Sequence, residues 1–589
     1  MKIFFKIVLF LSLTLIILVT YLSVIGVETD KFNRQIEDRI KNIDKKIEIE
    51  LKKIKLVLDP FKFNLNIKTV DSKLKNQNAI IEIERLNTQI SLKSLVENKF
   101  LIENLEISLK SIEIKNLISF IRSFQNTPQL FLLEKTVKKG YLIADIKLEF
   151  NPLGEIKDNY TINGFIKDTD LSVLKNYNFQ KLNLIFEYKK DKLKLNDIVF
   201  NLNDLNFLSD NISVNKRKNN YFVKGNINHN KFNLTEKNLN LFAKKLLPKF
   251  EIKKFLFSSE NTFSFEIDKG FQLNNFEINS DMLVNEFSFI NVLDLKKFFP
   301  KIQEKISLSE NKLSIRYKKN DLSVKGKGKL LYQDNFDDLI YTIKNKDKIL
   351  NFETSLKIND NPLIIDFLNY KKNENNKTNI NLKGSRDKNK KILIENFDLF
   401  EDKNKITISN LTLNKNFQIM LLDKVHLDYT DQDKQKNSIK FEKKKDQYYL
   451  IGSLFNANNL IDNLLSDDDE SSNFLDMDSK VNVNIDKILL DNEHYVLDFS
   501  GDILFKNKEI LYAKLNGDFP NNKKFKFTVN TNDNNKITTL YVDKAEPIVR
   551  KYKFIKGFDE GSLDYNSSKK FNESISQLKI YDFKLKELP

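Results

Sequence analysis

The sequence predicts a mainly β protein: an N-terminal transmembrane helix, then an elongated, twisted antiparallel β-sheet that forms a groove, with a few short helices. Three observations support this fold class. Apolar and polar residues alternate over most of the 589 residues, as at 105–109, where Leu105, Ile107 and Leu109 fall on one face of a strand. An uncharged apolar run occupies residues 7–27. Helical periodicity is confined to short interruptions, which do not alternate with single strands as βαβ units would.

The apolar run 7–27 is long enough to span a bilayer as a helix. We take Ile7, Leu11, Leu15, Leu18 and Leu22 as its membrane-anchoring residues. Basic residues precede the run within residues 1–6, and acidic residues follow it, which places the N-terminus in the cytoplasm and the bulk of the chain across the membrane. The rival interpretation is a cleaved signal peptide, but its apolar core would be overlong and residues 24–26 form a poor cleavage site.

Residues 28–45 follow as an amphipathic juxtamembrane helix, whose apolar positions include Phe32, Ile36, Ile40 and Ile43. This helix is expected either to lie on the membrane surface or to cap the first strands. From residue 46 the period changes to that of strands, and we assign 46–455 to the β-groove and 456–589 to a C-terminal β region. The alternation slips by one at Ser111, which indicates a bulge, a bend or two short strands. Further short helices are expected near 116–124, 236–247, 292–306, 457–465 and 544–553.

Composition restricts the function classes. The net charge is +16, but the 97 basic and 81 acidic residues are interspersed on the polar positions of strands, and no recognition motif is present, so nucleic acid is not an expected partner. Cysteine is absent, which excludes disulfides and thiol chemistry. With only 14 Gly and 9 Pro, most turns are expected to be formed by Asn, Asp and Lys.

The one-sided apolar faces of the strands must cover something. Stacked sandwiches would bury them between sheets, but the chain shows no repeat of about 100 residues. The alternative is one long sheet of about 40 strands, curled so that its apolar face lines a groove. A face of that size must be covered or must hold apolar ligands. The candidate groove residues are apolar positions of the first predicted strands: Phe61, Phe63, Leu65, Ile67, Leu105, Ile107 and Leu109.

The layout resembles the AsmA-like family of bacterial envelope proteins, relatives of TamB and of the bridge-like lipid-transfer proteins. The anchor, the amphipathic segment and the strands at 91–118 carry the general pattern. YYLIGSLFNANNLIDNLL at 448–465 is similar to a strand-Gly-x-x-Phe-(Asp/Asn)-Ala-x-x-Leu segment of the family. VDKAEPIVRKYKFIKGFDEGSLDY at 542–565 and SQLKIYDFKLKELP at 576–589 are similar to its two closing segments.

Two positions depart from the family pattern. Lys544-Ala545-Glu546 replaces Asp-Ala-Gly, and Asp559-Glu560-Gly561 retains one of two paired glycines. The family usually continues beyond the position of Pro589, so by this resemblance the chain is either truncated or ends early. The resemblance implies a periplasmic β-groove, held at the inner membrane, that moves phospholipids from the inner to the outer membrane.

Enzyme chemistry finds little support in the sequence. His229, His426 and His494 are far apart, and no zinc-protease, phosphate-loop or nucleophile-elbow motif is present, so we expect no catalytic residues, no metal and no cofactor. The expected partners are phospholipids and the inner membrane. One alternative is a periplasmic scaffold or assembly factor for outer-membrane proteins, which would receive partner strands at exposed sheet edges. Another is a tethered envelope spacer whose sheets are closed and dry.

Overall fold

The structure is a computed structural model, and it describes most of the chain. The described residues are 2–43, 47–76, 79–93, 102–124, 126–151, 153, 155–174, 177–203, 205–218, 220–234, 238, 251–270, 272–292, 294–465, 478–506, 509–532, 535–552, 555, 557–570 and 573–586.

The helices are few and short apart from the first. Their bounds are α1 Lys2–Val24, α2 Asn33–Ile43, α3 Ile114–Arg122, α4 Pro128–Thr136, α5 Asn458–Leu465 and α6 Glu546–Tyr552. The first is apolar and long enough to cross a membrane, and none of its residues is buried. Ile7, Leu11, Leu15 and Leu18 are each more than half exposed on it, and Leu22 is partly buried near its end. This is consistent with a single-pass anchor.

Strands account for most of the chain. Their bounds are β1 Val27–Thr29, β2 Glu48–Glu50, β3 Ile54–Asp59, β4 Asn64–Asn76, β5 Ala79–Ser91, β6 Ile102–Leu109, β7 Ile112–Glu113, β8 Val137–Glu149, β9 Thr161–Leu174, β10 Tyr177–Lys189, β11 Lys192–Leu202, β12 Leu205–Arg217, β13 Asn220–Asn233, β14 Ile252–Ile267, β15 Leu273–Ile290, β16 Lys305–Lys318, β17 Asp321–Leu331, β18 Phe336–Lys346, β19 Ile349–Ile358, β20 Ile364–Ile365, β21 Tyr370–Lys371, β22 Thr378–Arg386, β23 Ile392–Glu401, β24 Asn404–Leu413, β25 Ile419–Thr430, β26 Lys436–Lys444, β27 Gln447–Asn456, β28 Ser479–Leu489, β29 Tyr495–Lys506, β30 Glu509–Phe519, β31 Lys523–Asn532, β32 Asn535–Val542, β33 Phe558–Lys570 and β34 Glu573–Leu585.

A single sheet of 32 strands contains all of these except the small β20–β21 pair. The prediction of one long sheet is therefore confirmed, and stacked sandwiches are not what the chain forms. Consecutive strands pair antiparallel wherever the register is described, with one exception: β27 and β28 run parallel, with Leu450 opposite Val483. A parallel step needs a crossover rather than a hairpin, and α5 begins that crossover.

The chain divides into two compact units. The first comprises Met1–Phe232 and Ser258–Ser280, and the second comprises Asn233–Phe257 and Asp281–Pro589. In the first unit, α2 packs Ile36 against Ile54, Ile67 and Ile90, so the amphipathic segment caps the first strands. Helix α3 packs Phe120 into a cluster with Leu109 on the same sheet.

The turns confirm the expectation from composition. Lys319 and Asn320 join β16 to β17 with φ of 45° and 66°, and Asp347 and Lys348 join β18 to β19 with φ of 51° and 67°. Two successive positive φ angles make the hairpin turn whose twist matches that of the strands. Asn, Asp and Lys thus take positions that glycine usually fills.

Several element predictions are refined by the structure. The slip at Ser111 separates β6 from β7, which both pair with β8. The helix expected near 292–306 is absent from the described residues there: the chain makes hydrogen-bonded turns, because Pro300 cannot continue a helix. The helix expected near 236–247 lies almost wholly outside the described residues. Helix α4 was missed, although Thr127 caps its N-terminus by accepting from Leu130 N and Pro128 occupies its first turn.

Candidate functional site

The strand register aligns one uncharged residue on every strand of the main sheet from β16 to β34. We call this set the central row. Its members stand opposite one another pair by pair: Leu313, Gly326, Tyr341, Thr354, Leu382, Phe397, Ile408, Val425, Phe441, Leu450, Val483, Gly501, Leu515, Phe527, Leu540, Tyr565 and Leu578. At ~4.8 Å between strands the row is roughly 75 Å long.

On each strand, one sequence neighbour of the central-row residue belongs to a second row, on the opposite face. This outer row is polar throughout except for Tyr449: Ser314, Lys325, Thr342, Glu353, Lys383, Asn396, Ser409, Lys424, Glu442, Tyr449, Asn482, Asp502, Lys514, Thr528, Thr539, Asn566 and Gln577. Because side chains alternate along a strand, the two rows show that one face of the sheet is apolar and the other is polar.

The apolar face is covered along one margin of the second unit. The segment 359–372, which we call the strap, joins β19 to β22 and packs Leu363, Ile365 and Leu368 against Leu399 and Ile406. The strap is fixed by hydrogen bonds that two tyrosine hydroxyls donate. Tyr370 Oη donates to Glu401 Oε2 at 2.7 Å, and Tyr429 Oη donates to the carbonyl oxygen of Leu368 at 2.8 Å.

Helices α5 and α6 cover the same margin further along the sheet. Helix α6 packs Val549 among Val542, Phe558 and Leu563, all of which are nearly inaccessible. Lys551 on α6 donates to Asp462 on α5 at 2.8 Å, which links the two helices. The strap, α5 and α6 all follow strands that end on this side. At the opposite margin of this unit, the connections that the structure describes are turns.

The central row itself is only partly covered. Leu382, Phe397, Ile408, Val425 and Phe441 are all partly buried, whereas Leu399 and Ile406, under the strap, are 1% and 3% exposed.

The first unit has a corresponding uncharged row. It runs through Ile54, Thr69, Leu86, Ile107, Ile146, Ile162, Tyr188, Leu193, Val214 and Val223. Of the sequence-predicted groove residues, Leu65, Ile67, Leu105, Ile107 and Leu109 all lie on this face. Ile67 and Leu109 are buried under α2 and α3, and Leu105 and Ile107 are partly buried.

Phe61 and Phe63 are placed differently from the prediction. Both lie in the turn between β3 and β4, and they are 95% and 71% exposed. The alternation of Phe61, Phe63, Leu65 and Ile67 has the phase of one strand, but Phe63 has φ of 52°, which ends the extended backbone there. The apolar stripe of β4 therefore begins at Leu65.

His229 is the one histidine on the apolar face of the first unit. It is 4% exposed, its ring stacks on Phe232 with centroids 4.2 Å apart, and Nε2 lies 2.9 Å from Ser259 Oγ. Burial lowers the pKa of His229 to about 4, so the imidazole is neutral at pH 7 and this face carries no charge there. His494, in the second unit, is buried as well, at 5% exposed.

His494 belongs to a charged cluster at the covered margin. Its Nδ1 lies 2.8 Å from Asp491 Oδ2 and its Nε2 lies 3.2 Å from Glu546 Oε2. Possible ligand atoms of Glu493, His494 and Glu546 lie within 4.8 Å of one another, as a metal site would require. Arg550 already pairs with both carboxylates, at 2.8 Å from Glu493, so the cluster is best explained as the attachment of α6 to the turn after β28.

The pKa of His229 predicts acid sensitivity of the first unit. In the unfolded chain the histidine pKa is about 6.5, so below that pH the unfolded chain binds a proton that the folded chain does not bind until about pH 4. Stability contributed by neutral His229 is complete above pH 6.5 and is lost between pH 6.5 and 4, by about 3 kcal/mol. Hydrogen exchange of β12 and β13, corrected for intrinsic rates, is expected to show this loss. His229→Gln should remove it, and equal pH dependence in both proteins would contradict the assignment.

The comparisons with known proteins add no relative. No family model, no curated protein and no solved structure matches the chain.

Proposed function

We propose that this protein binds phospholipid acyl chains along the apolar face of its sheet and supports lipid movement from the inner to the outer membrane. The observation that carries the proposal is the central row, which is uncharged on every strand from which it takes a residue. Each methylene removed from water contributes about 0.8 kcal/mol, so a single acyl chain along part of the row would be held firmly. An uncharged row also offers no strong local site at which a sliding chain would be trapped.

The anchor supports the proposal by its position next to the first strands. Helix α1 is followed within three residues by β1, which pairs with β3 of the same sheet. In the proposed topology the N-terminus lies in the cytoplasm and the sheet lies in the periplasm, since Lys2 and Lys6 precede the helix core and Glu28 and Asp30 follow it. The resemblance to the AsmA-like family points to the same function. No catalytic step is part of the proposal.

Photo-crosslinking tests lipid contact on the sheet and avoids the lipids that surround the anchor. A photoreactive phenylalanine at 397 or 441, both in the second unit, is expected to crosslink phospholipid when intact membranes are irradiated. Matched positions on the opposite face are Asn396 and Glu442, which neighbour these residues in sequence. The expected result, read by mass spectrometry of the purified protein, is lipid on 397 and 441 and little on 396 and 442. Equal labelling of both faces, or none, would refute lipid binding.

A second candidate function is supported by strand β34. This strand pairs with β33 on one side, and within the described residues no pairing is seen on its other side. Its side chains are exposed on both faces, with Ile575 at 79% and Leu585 at 59%. An exposed strand edge of this kind can accept a partner strand, as an assembly factor for outer-membrane proteins would. A photoreactive residue at 575 would then crosslink to a partner protein, while one at 397 would crosslink to neither lipid nor protein.

A further inference from the structure

The anchor helix joins the sheet without a flexible linker. Gly26 ends α1 in a left-handed conformation with φ of 74°, and the N–H groups of Ile25 and Gly26 donate to the carbonyl oxygen of Tyr21 at 2.9 and 3.0 Å. A Cβ at Gly26 would lie 2.4 Å from the carbonyl oxygen of Leu56, so the end of the helix lies against β3. The next residue, Val27, already pairs with Leu56. The position of the bilayer relative to β3 is therefore fixed by the fold.

The direction of the strands decides which edge of the sheet faces the bilayer. By edge we mean here the side of the sheet at which strands end and turns lie. Strand β1 runs antiparallel to β3, with Val27 opposite Leu56 and Thr29 opposite Ile54. Going back from Val27 into α1 therefore follows the direction in which β3 runs from Leu56 to Asp59. Helix α1 and the turn between β3 and β4 leave the sheet at the same edge.

That turn holds two phenyl rings outward in an ordered conformation. Asp59 Oδ1 accepts hydrogen bonds from the N–H groups of Phe61 and Lys62 at 3.2 and 3.1 Å. The carbonyl oxygen of Phe63 accepts from Leu92 N at 2.9 Å, which ties the turn to the end of β5. Phe61 and Phe63 remain 95% and 71% exposed. Rings that are this exposed gain free energy when they leave water for another apolar phase.

The loop between β8 and β9 presents apolar side chains at the same edge. Strand β4 begins at this edge, and its first residue, Asn64, stands opposite Ser91 at the end of β5. Asn104, near the start of β6, stands opposite Glu149 at the end of β8, so β8 ends at the same edge. Asn151 Oδ1 accepts from the N–H groups of Leu153 and Glu155 at 3.0 and 2.9 Å, which fixes these two residues relative to Asn151. Leu153 is 84% exposed. Ile156 is 55% exposed.

We propose that Phe61, Phe63, Leu153 and Ile156 form a membrane rim that inserts into the interfacial region of the bilayer spanned by α1. Single exposed apolar residues are common, but these four lie on two separate loops at the edge from which the anchor leaves. Lys62 flanks them and can reach a lipid phosphate while its stem stays apolar, whereas Lys157 pairs with Glu149 Oε2 at 3.4 Å. The bilayer is the occupant that the position of α1 selects.

The rim gives the apolar stripe of β4 a direct start at the membrane. Leu65 follows the turn by two residues, and the stripe continues through Ile67 under α2. The rim itself requires only the anchor and the two loops. It can therefore be tested independently of lipid binding on the sheet, and a failed insertion would leave that proposal standing.

Tryptophan fluorescence tests the rim in the full chain, which contains no native tryptophan. Phe61→Trp and Leu153→Trp are read separately in vesicles of equal parts phosphatidylethanolamine and phosphatidylglycerol. The matched control is Phe417→Trp, an aromatic residue in a turn of the second unit that is 71% exposed. Insertion into vesicles is expected to shift the emission of the rim tryptophans to the blue, and brominated phospholipids are expected to quench it about twofold, with little of either effect at 417.

The outcome that overturns the rim is emission at 61 and 153 that matches emission at 417 and does not respond to brominated lipid. Misfolding is an unsuitable explanation for such a result, because both sites are almost fully exposed and tryptophan fits either. Circular dichroism and the tryptic pattern of each variant confirm that the sheet is intact before the spectra are compared.

Discussion

An aspartate in place of Phe397 is expected to stop lipid from passing along the apolar face beyond β23. Phe397 stands in the central row between Leu382 and Ile408, and it is partly buried. A carboxylate there would have to be approached by an acyl chain that cannot solvate it, at a cost of about 3 kcal/mol. By the relation between free energy and equilibrium, that slows passage about 100-fold.

The strand order makes this prediction directional. Within the second unit, lipid that enters beside β16 would meet Phe352 on β19 before position 397, and would meet Phe527 on β31 after it. In the Phe397→Asp protein, a photoreactive residue at 352 is expected to keep its lipid crosslink, while one at 527 should lose most of it. Asn396→Asp places the same charge on the polar face and should leave both crosslinks unchanged. Undiminished labelling at 527 in a folded Phe397→Asp protein would rule out a conduit.

Replacing Gly501 with alanine is expected to lower the stability of the second unit strongly. Gly501 belongs to the central row and has φ of 152°, in a region that side chains rarely adopt. A Cβ there would lie 1.8 Å from the carbonyl oxygen of Lys514, which is backbone of the paired strand β30 and cannot move aside without breaking the ladder. Strain and overpacking together should cost about 3 kcal/mol or more.

Chemical denaturation and hydrogen exchange of β29 and β30 measure this cost. Gly270→Ala is the matched control, because its Cβ would find only Asp268 Oδ1, at 3.4 Å. That control should change the free energy of unfolding by less than about 0.5 kcal/mol. Native-like protection of β29 and β30 in the Gly501→Ala protein would show that the backbone relaxes around the new methyl group.

Strand alternation was enough to predict a single one-sided sheet, and it placed Leu105 and Ile107 on the correct face. It could not place Phe61 and Phe63, because a turn that uses a non-glycine residue at positive φ leaves the apolar period unbroken. The central row could not be predicted from the sequence either. A row depends on the register between strands, which the pattern within one strand does not contain. The parallel step from β27 to β28 has no local signature either, because its connection lies largely outside the periodic segments.

That parallel step has a consequence for access to the apolar face. In a sheet made only of hairpins, successive connections fall on alternate sides. The side of a connection therefore depends on whether the number of strands before it is odd or even. Because β28 runs in the same direction as β27, every connection after this step falls on the side opposite to the one that hairpins alone would give. Helix α6 consequently falls on the same side as the strap and α5. With an ordinary hairpin at that point, α6 would lie across from them and the face would be shielded from both sides. One inverted strand direction thus gathers the strap, α5 and α6 at one margin of the second unit, and among the residues that the structure describes the opposite margin carries turns alone.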